Sequence, residues 1–338
     1  YGVTNWDFDF RGHKLQGDWQ AALGVTQRVP HLAWMYMGGE SKRDYPAPID
    51  AHSPWYGRYR LIEDYFARLN TALRRGRPSV QLAVIHPIES MWMAFGPDRQ
   101  TAAGRADLER QFQTLTETLL FNQIDFDFLS ESVLTMLSCN CRDEALCVGR
   151  MQYRAVLVPP LITIRSTTLD LLERFRKQGG HVFLCGNAPI CVDGAPSERA
   201  AEFFSGCTVI PNMDDALIPA LEPFRQIEVF GCNDLRAKDL IYQLREDGAD
   251  RWLFLAHGRK DASIESNPFL KQQQQEKHRL VLRGRWKPQQ YNAMDGSIHT
   301  PDFRIDGERT IVDFDLFAHD SLLLHLEPAE AGSFHAQA

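Results

Sequence analysis

Residues 155–185, AVLVPPLITIRSTTLDLLERFRKQGGHVFLC, carry the pattern that decides the fold of the middle of the chain. The apolar run Ala155–Val158 stops at two prolines, and its length and composition predict a buried strand. Thr167–Gln178 has apolar residues at helical spacing and ends at Gly179-Gly180, where a helix typically stops. His181–Cys185 predicts a second buried strand. Strand, helix and strand in this order predict two parallel strands joined by a helical crossover.

Two strands upstream extend the same alternation. Val80–Ile85 and Asp125–Leu129 predict strands, and a helix through Leu108–Leu120 separates them. Strands that alternate with helices predict a parallel sheet covered on both faces, in a doubly wound, flavodoxin-like or glutamine-amidotransferase-like unit. The sequence contains neither a G-x-G-x-x-G motif after the first strand nor a P-loop, so the usual phosphate-binding loops are missing. We expect this unit to be catalytically inert.

The last third of the chain has a different pattern of apolar and turn residues. After Pro219 the helical periodicity fades, and short apolar runs alternate with turn residues. Asp295-Gly296 and Asp306-Gly307 are typical of hairpin turns. These features predict a small β-sandwich, with strands that include Ile227–Phe230, Trp252–Ala256, His278–Leu282, Ile311–Phe317 and Ser321–Leu326.

The first third indicates the end of a larger fold. Gly17–Gly24 predicts a short helix that ends at glycine, and Val25–Met37 predicts a buried strand that runs into a loop. Pro54–Arg75 has apolar residues at helical spacing. Helix, strand, loop and long helix are the order in which a β/α barrel finishes. Because the first ten residues are rich in aromatic residues and lack a polar lead-in, we expect the chain to begin inside a folded element.

The predicted fold class is therefore α/β multidomain. It comprises the end of a (β/α)8 catalytic barrel (residues 1–76), a doubly wound amidotransferase-like α/β domain (77–220), a β-sandwich (221–328) and a disordered tail (329–338).

Composition excludes several classes of function. The formal charge is −7, from 37 basic and 44 acidic residues, so no nucleic-acid partner is expected. No run reaches the roughly 18 apolar residues that span a bilayer, so no membrane partner is expected. The seven cysteines are scattered without a disulfide pattern, which favours free thiols and a cytoplasmic, reducing compartment. We expect no cofactor and no metal; Cys139, Cys141 and Cys147 lack the spacing of a zinc site.

The candidate functional residues lie in the first fifty positions. Asp7 and Asp9 alternate with aromatic residues, so on a strand both carboxylates would share one face; the alternative is that they bond to backbone or to Arg11. His31 lies near the C-terminal end of the predicted barrel strand, where it is either a substrate contact or a core histidine. The remaining candidates supply stacking surfaces or polar contacts to a sugar, or pair at the surface: Trp6, Trp34, Glu40, Arg43 and Asp44.

The residues around the first predicted helix resemble a known signature. Lys14, Gly17, Asp18, Gly24-Val25, Arg28-Val29 and His31 resemble the barrel-end pattern of family 106 glycoside hydrolases of the α-L-rhamnosidase type, with Thr26-Gln27 in place of the usual Asn. His86–Glu89, Ala155–Pro160 and Tyr291–Ile298 are similar to later segments of these enzymes. Family 42 β-galactosidases share the order of barrel, amidotransferase-like domain and β domain.

The resemblance implies a C-terminal fragment of an O-glycosidase with a carbohydrate substrate. Such enzymes use two carboxylates across the glycosidic bond, and the pair is expected outside this chain, with Asp7, Asp9 and Glu40 as the candidates inside it. Two alternatives remain open: a non-catalytic carbohydrate-binding or assembly module, and a Cys-dependent amidotransferase-like hydrolase centred on Cys185. The sugar, the stereochemical outcome and homo-oligomer formation are left open.

Overall fold

The computed structural model describes residues 6, 8–42, 45, 48–137, 139–213, 216–259 and 275–329. The chain divides into two compact units. One contains residues 80–226 and is called the α/β unit; the other contains residues 1–79 and 227–338 and is called the β unit.

The α-helices of the described residues lie mainly in the α/β unit. They are α1 (Phe10–Ala22), α2 (Arg60–Leu73), α3 (Ile88–Met93), α4 (Asp98–Leu120), α5 (Glu131–Leu134), α6 (Ser166–Lys177), α7 (Arg199–Phe204) and α8 (Leu217–Leu221). Single turns of 3-10 helix occur at Glu40–Lys42, Tyr56–Arg58 and Glu222–Phe224.

The strands of the described residues are short in the first half of the chain and longer in the second. They are β1 (Arg77–Pro78), β2 (Leu82–Ile85), β3 (Phe126–Leu129), β4 (Cys139–Arg142), β5 (Ala145–Val148), β6 (Met151–Tyr153), β7 (Ala155–Val158), β8 (Thr163–Ile164), β9 (His181–Cys185), β10 (Cys191–Val192), β11 (Ala195–Pro196), β12 (Thr208–Ile210), β13 (Ile227–Gly231), β14 (Leu240–Asp247), β15 (Asp250–His257), β16 (Glu276–Arg283), β17 (Trp286–Tyr291), β18 (Ile298–His299), β19 (Phe303–Asp306), β20 (Arg309–Leu316) and β21 (Ser321–Pro328).

The α/β unit is built on a parallel sheet with strand order β12-β9-β7-β2-β3. Every pair in it is parallel, for example Leu82 opposite Ala155 and Ala155 opposite His181. Taken in chain order these strands lie in the order 5-4-3-1-2, which is the flavodoxin-like arrangement. The doubly wound parallel sheet that the sequence predicts is therefore confirmed.

Side chains of the central strands alternate between two cores. Ala83, Ile85 and Val156 belong to one core, which α6 and α7 cover with residues such as Phe175 and Phe204. Leu82, Val84, Ala155 and Leu157 belong to the other, which α4 and α8 cover with Leu115, Leu119, Leu217 and Leu221. Because both faces are covered, the strands are apolar throughout, which is why they are recognisable in the sequence.

The β unit contains two antiparallel sheets with a shared core. One has the order β1-β14-β15-β21-β17-β18 and the other β13-β16-β20-β19. Leu253, Leu255 and Leu324 of the first sheet share one apolar cluster with Leu280 and Val312 of the second, as in a β-sandwich. The predicted sandwich is confirmed, and its strands include the five expected from the sequence.

Helices α1 and α2 pack in the same unit as this sandwich, with α1 against β14, β15 and α2. The sequence predicts α1 only over Gly17–Gly24, whereas the helix begins at Phe10. Gly24 has φ +98° just after it, as expected for a glycine that ends a helix.

The predicted strand at Val25–Met37 is wrong. This segment forms no strand, and it pairs with none of the strands in the described part of the chain. Val29 is 76% exposed and Met35 is fully exposed, so several of the apolar residues that suggested a buried strand face outward.

Candidate functional site

The buried polar residues of α1 join it to α2 and the sheet. Asp18, 2% exposed, accepts a hydrogen bond from Tyr65 Oη at 2.6 Å and pairs with Lys14 Nζ at 2.7 Å. Lys14 Nζ also donates to the His319 carbonyl (2.9 Å) and to Ser321 Oγ (3.1 Å). Burial and the Asp18 carboxylate raise the pKa of Tyr65 well above its ordinary value. Lys14 and Asp18, two residues of the glycosidase-like signature, are thus used to hold α1 in place.

Arg28, a third residue of that signature, ties the following segment to α2. Its Nη2 pairs with Glu63 Oε1 at 2.5 Å, and its guanidinium lies 4.4 Å from the centre of the Phe66 ring. Its Nη1 lies 3.3 Å from His13 Nδ1. Burial and the Arg28 charge lower the pKa of His13 to about 4, so the imidazole is neutral at pH 7.

Beyond Arg28 the chain is fixed by the carboxylate of Asp50. Asp50 Oδ2 accepts from the backbone N–H of Trp34 at 2.6 Å. Asp50 Oδ1 accepts from the backbone N–H of His52 and faces His52 Nδ1, both at 2.9 Å. Burial opposes ionisation, but these hydrogen bonds and His52 lower the pKa of Asp50 overall. Both carboxylate oxygens are committed, so Asp50 positions Trp34.

Trp34 belongs to a cluster of rings. The Tyr45 ring lies 5.0 Å from the His31 ring and 5.6 Å from the Trp34 ring, centre to centre. Lys42 Nζ lies 5.6 Å from the centre of the Trp34 ring and donates to the carbonyls of Tyr36 and Gly38, the latter at 2.9 Å. We call His31, Trp34, Lys42 and Tyr45 the aromatic cluster.

Two polar atoms of the aromatic cluster have no partner among the described residues. Trp34 Nε1 and His31 Nδ1 are inaccessible to water and make no hydrogen bond within the described part of the chain. Buried N–H groups are rarely left unpaired in folded proteins, so each such atom needs an explanation. A ligand hydroxyl is a group that would pair with both kinds of nitrogen.

Asp9, another predicted site residue, has a structural role at the start of α1. Asp9 is the N-cap of α1, where it accepts from the N–H groups of Arg11 (2.9 Å) and Gly12 (3.2 Å) and pairs with the Arg11 side chain. Burial acts to raise the pKa of Asp9, but these partners lower it overall. The strand expected here is wrong for Asp9, and the alternative, bonding to backbone and to Arg11, is what the structure contains.

Trp6 is 40% exposed, and Glu40 begins the 3-10 turn Glu40–Lys42. Across the described residues, no hydrogen bond, ion pair or ring contact joins Trp6 to His31 or Trp34. Asp7, Arg43 and Asp44 lie outside the described residues.

Tyr45, Asp50 and His52 are parts of the site that the sequence did not reveal. Asp50-Ala-His52 has the spacing of a turn in which a carboxylate caps the backbone two residues on, a local signal that could have identified Asp50. The contact between Tyr45 and His31 has no such local signal, because it depends on how the intervening loop closes.

Cys185 lies at the end of β9, beside a cavity of about 400 Å³ lined also by Arg110, Gln111 and Asn212. It is 1% exposed, and burial raises the pKa of its thiol to about 11. A thiol in this setting is protonated at pH 7 and is a poor nucleophile. All seven cysteines are free thiols.

Within the described ranges no group of three or more His, Cys, Asp or Glu side chains is arranged to hold a metal ion. None of the helices in these ranges combines the length and the apolar character needed to cross a bilayer.

Solved structures provide the comparisons. The chain is similar in fold to the rhamnosidase from Novosphingobium sp. PP1Y, with a TM-score of 0.70 and 17% identity over 99% of this chain and 31% of that one. The α-L-fucosidase isoenzyme 2 from Paenibacillus thiaminolyticus gives a TM-score of 0.54 at 11% identity, over 95% and 57% of the two chains. A catalytic mutant of a GH42 β-galactosidase from G. stearothermophilus gives 0.53 at 10% identity, over 86% and 47%.

These likenesses show a shared multidomain α/β fold. The chain spans about a third of the length of the rhamnosidase, 31% of it. No protein-family model matches the chain, and no curated protein sequence matches it.

Proposed function

We propose that the chain is part of a glycoside hydrolase and that its aromatic cluster forms part of a sugar subsite. His31 Nδ1 and Trp34 Nε1, which have no partner among the described residues, lie beside an aromatic surface and carry this proposal. The fold likeness to a rhamnosidase over 99% of the chain supports the enzyme class. The Lys14, Asp18 and Arg28 pattern is our reason for favouring a relationship to family 106 within that class.

The cluster has the chemistry that a sugar requires. An indole ring offers an apolar face to the C–H groups of a pyranose, and its N–H can donate to a hydroxyl. His31 Nδ1 can donate or accept according to its tautomer. The Tyr45 ring contacts both side chains, so its displacement would open them to a bound hydroxyl.

We infer that the catalytic carboxylates lie outside the chain. Glycoside hydrolysis requires two carboxyl groups, one on each side of the scissile bond. Among the candidates inside the chain, Asp9 caps a helix and pairs with Arg11, so it is poorly placed to transfer a proton. Glu40 lies in an exposed turn.

The second candidate is a non-catalytic carbohydrate-binding or assembly module. The observation in its favour is that Asp50, whose carboxylate accepts from the Trp34 N–H, has both oxygens committed to positioning. Under this alternative the aromatic cluster binds sugar and no hydrolysis follows in any longer protein.

A hydrolysis assay separates the two. We expect the 338-residue chain to release no nitrophenol from nitrophenyl α-L-rhamnoside, α-L-fucoside or β-D-galactoside, whereas a longer protein that contains it does. If the 338-residue chain hydrolyses one of these substrates and Glu40→Gln abolishes that activity, the inference is contradicted. A catalytic carboxylate then lies inside the chain. Inactivity of both proteins would favour the binding module.

A further inference from the structure

The α/β unit has a crevice at the point where its strand order reverses. Strands β2 and β7 are neighbours, but the chain leaves β2 toward β3 on one side and leaves β7 toward β9 on the other. The connections after the two strands therefore diverge at the carboxyl edge of the sheet. Ligands of doubly wound proteins bind in this type of crevice.

The two walls of the crevice are fixed to each other. Ser90 of α3 is completely buried, and its Oγ accepts from the N–H groups of Ile162 (2.9 Å) and Thr163 (3.2 Å). Arg165 N donates to Glu131 Oε2 at 2.8 Å. These hydrogen bonds preorganise the walls, which lowers the entropic cost of binding a ligand.

Between these walls lies a cavity of about 560 Å³. This is within the range of roughly 300–1,000 Å³ that small-molecule sites occupy. Its lining combines an aromatic ring, hydroxyls and charged groups, and includes Glu89, Trp92, Thr163, Arg165, Thr167 and Asp193.

The charged groups in the cavity are oriented and partly available. Arg165 Nε pairs with Glu89 at 2.8 Å and 3.1 Å to its two oxygens. Within the described ranges the terminal nitrogens Nη1 and Nη2 of Arg165 make no hydrogen bond. The Arg165 side chain is 33% exposed, so these nitrogens can donate to a ligand.

Trp92 supplies an aromatic surface at the same cavity. It is three residues after Glu89 on α3, so the two side chains lie on one face of the helix. Trp92 is 61% exposed. An exposed indole beside oriented hydrogen-bonding groups is the arrangement that binds the apolar face and the hydroxyls of a sugar together.

The charge balance argues against an anionic ligand. Glu89 and Asp193 outnumber the single guanidinium of Arg165, and hydrogen bonds from Ser166 lower the pKa of Asp193, which keeps it ionised. A phosphate would meet two carboxylates here. Neutral hydroxyl groups can donate to the carboxylates and accept from Arg165.

We propose that this cavity binds a neutral mono- or disaccharide, stacked on Trp92 and hydrogen-bonded to Arg165, Glu89 and the threonine hydroxyls. The site is separate from the aromatic cluster and belongs to the unit that the sequence predicts to be inert. It goes beyond the proposed function and does not depend on it, because no residue is shared.

The experiment uses the whole chain labelled with 5-fluorotryptophan. The chain contains seven tryptophans, and each gives its own ¹⁹F signal. L-Rhamnose, L-fucose, D-galactose and lactose are each titrated in. We expect the Trp92 signal to shift saturably with at least one sugar. The Trp19 signal, from an indole 40% exposed on α1, should stay in place as the control.

Two variants test the contacts. Trp92→Ala removes an exposed side chain, so the fold is retained, and should weaken binding by about tenfold or more, read from the sugar's own NMR signals. Arg165→Lys keeps the charge beside Glu89 but removes the planar fork, and should weaken binding to a similar extent.

Three results would overturn the proposal: no saturable shift at Trp92, a shift that Trp19 matches, or tighter binding of inorganic phosphate than of any sugar. The two sites fail independently. A shift at Trp34 alone would support the proposed function and overturn the site beside Trp92. A shift at Trp92 alone would support the site beside Trp92 and count against the aromatic cluster.

Discussion

Asp18 illustrates how a single residue of a recognisable motif can serve structure. Its carboxylate is 2% exposed and is held by Tyr65 and Lys14, so α1, α2 and β21 meet at one buried ion pair. Removal of one partner from a buried ion pair leaves the other charge buried and unpaired. The resulting loss in the free energy of unfolding exceeds the stability that the intact pair contributes. Asp18 therefore contributes to the packing of α1.

Asp18→Asn tests this. The substitution keeps the shape of the side chain but leaves the Lys14 ammonium without its counter-charge. We expect the free energy of unfolding of the β unit to fall by about 2–4 kcal/mol. Urea unfolding followed by tryptophan fluorescence measures it, because six of the seven tryptophans belong to this unit.

Asp64→Asn is the matched control. Asp64 pairs with Arg60 at 3.2 Å on α2, with side chains 43% and 88% exposed. We expect a loss below about 1 kcal/mol. Equal effects of the two substitutions would show that Asp18 has no special structural role.

Among individual residues, the sequence identifies some members of the candidate site and misses others. His31 and Trp34 are recognisable as candidates by residue type, and the structure brings them together through Tyr45. Asp9 has the right residue type, but it caps a helix because α1 begins at Phe10. Tyr45 could not be predicted, since its ring contacts join residues 11 and 14 positions apart through an irregular loop. The turn at Asp50 has a local signal, but its contact with Trp34, 16 positions away, does not.

At the scale of elements, burial decides what the sequence can predict. Ala155–Val158 and His181–Cys185 are found at their predicted bounds because both faces of these strands are covered. Leu240–Asp247 escaped prediction because its buried stretch includes Gln243 and Arg245, which interrupt the apolar pattern. Val25–Met37 failed for the opposite reason, since an apolar segment lacks a strand to pair with among the described residues.

The connection between α2 and β1 gives a prediction at this scale. Gly76 has φ +57°, and a Cβ there would lie 1.8 Å from the Glu246 carbonyl oxygen. Gly76→Ala must therefore push β1 away from β14. It also places a residue with a side chain in the left-handed backbone region, which is unfavourable. We expect a loss of about 3 kcal/mol or more in the free energy of unfolding.

Gly307→Ala separates the two contributions. Gly307 has φ +55° but nothing within 4 Å of the added Cβ, so only the left-handed backbone is penalised. We expect a loss of about 1 kcal/mol in the same urea experiment. If Gly76→Ala is no worse than Gly307→Ala, the close approach of Glu246 to Gly76 is not maintained in solution.

At the scale of the whole molecule, the chain combines two units with separate cores and separate candidate sugar sites. The β unit carries the aromatic cluster, and the α/β unit carries the crevice beside Trp92. The fold class followed from the sequence because strand and helix periodicities differ over long segments. The complete sites did not, because tertiary packing decides which residues of separate loops, helices and strands come together.

Sugar binding by the aromatic cluster can be tested directly. The most direct measurement follows the Trp34 signal of the 5-fluorotryptophan-labelled chain as L-rhamnose, L-fucose or D-galactose is added, with assignment by Trp34→Phe. We predict a saturable shift of Trp34 with at least one sugar, while Trp19 stays in place, and loss of that binding in His31→Ala. A Trp34 signal that responds to none of the sugars would contradict the claim.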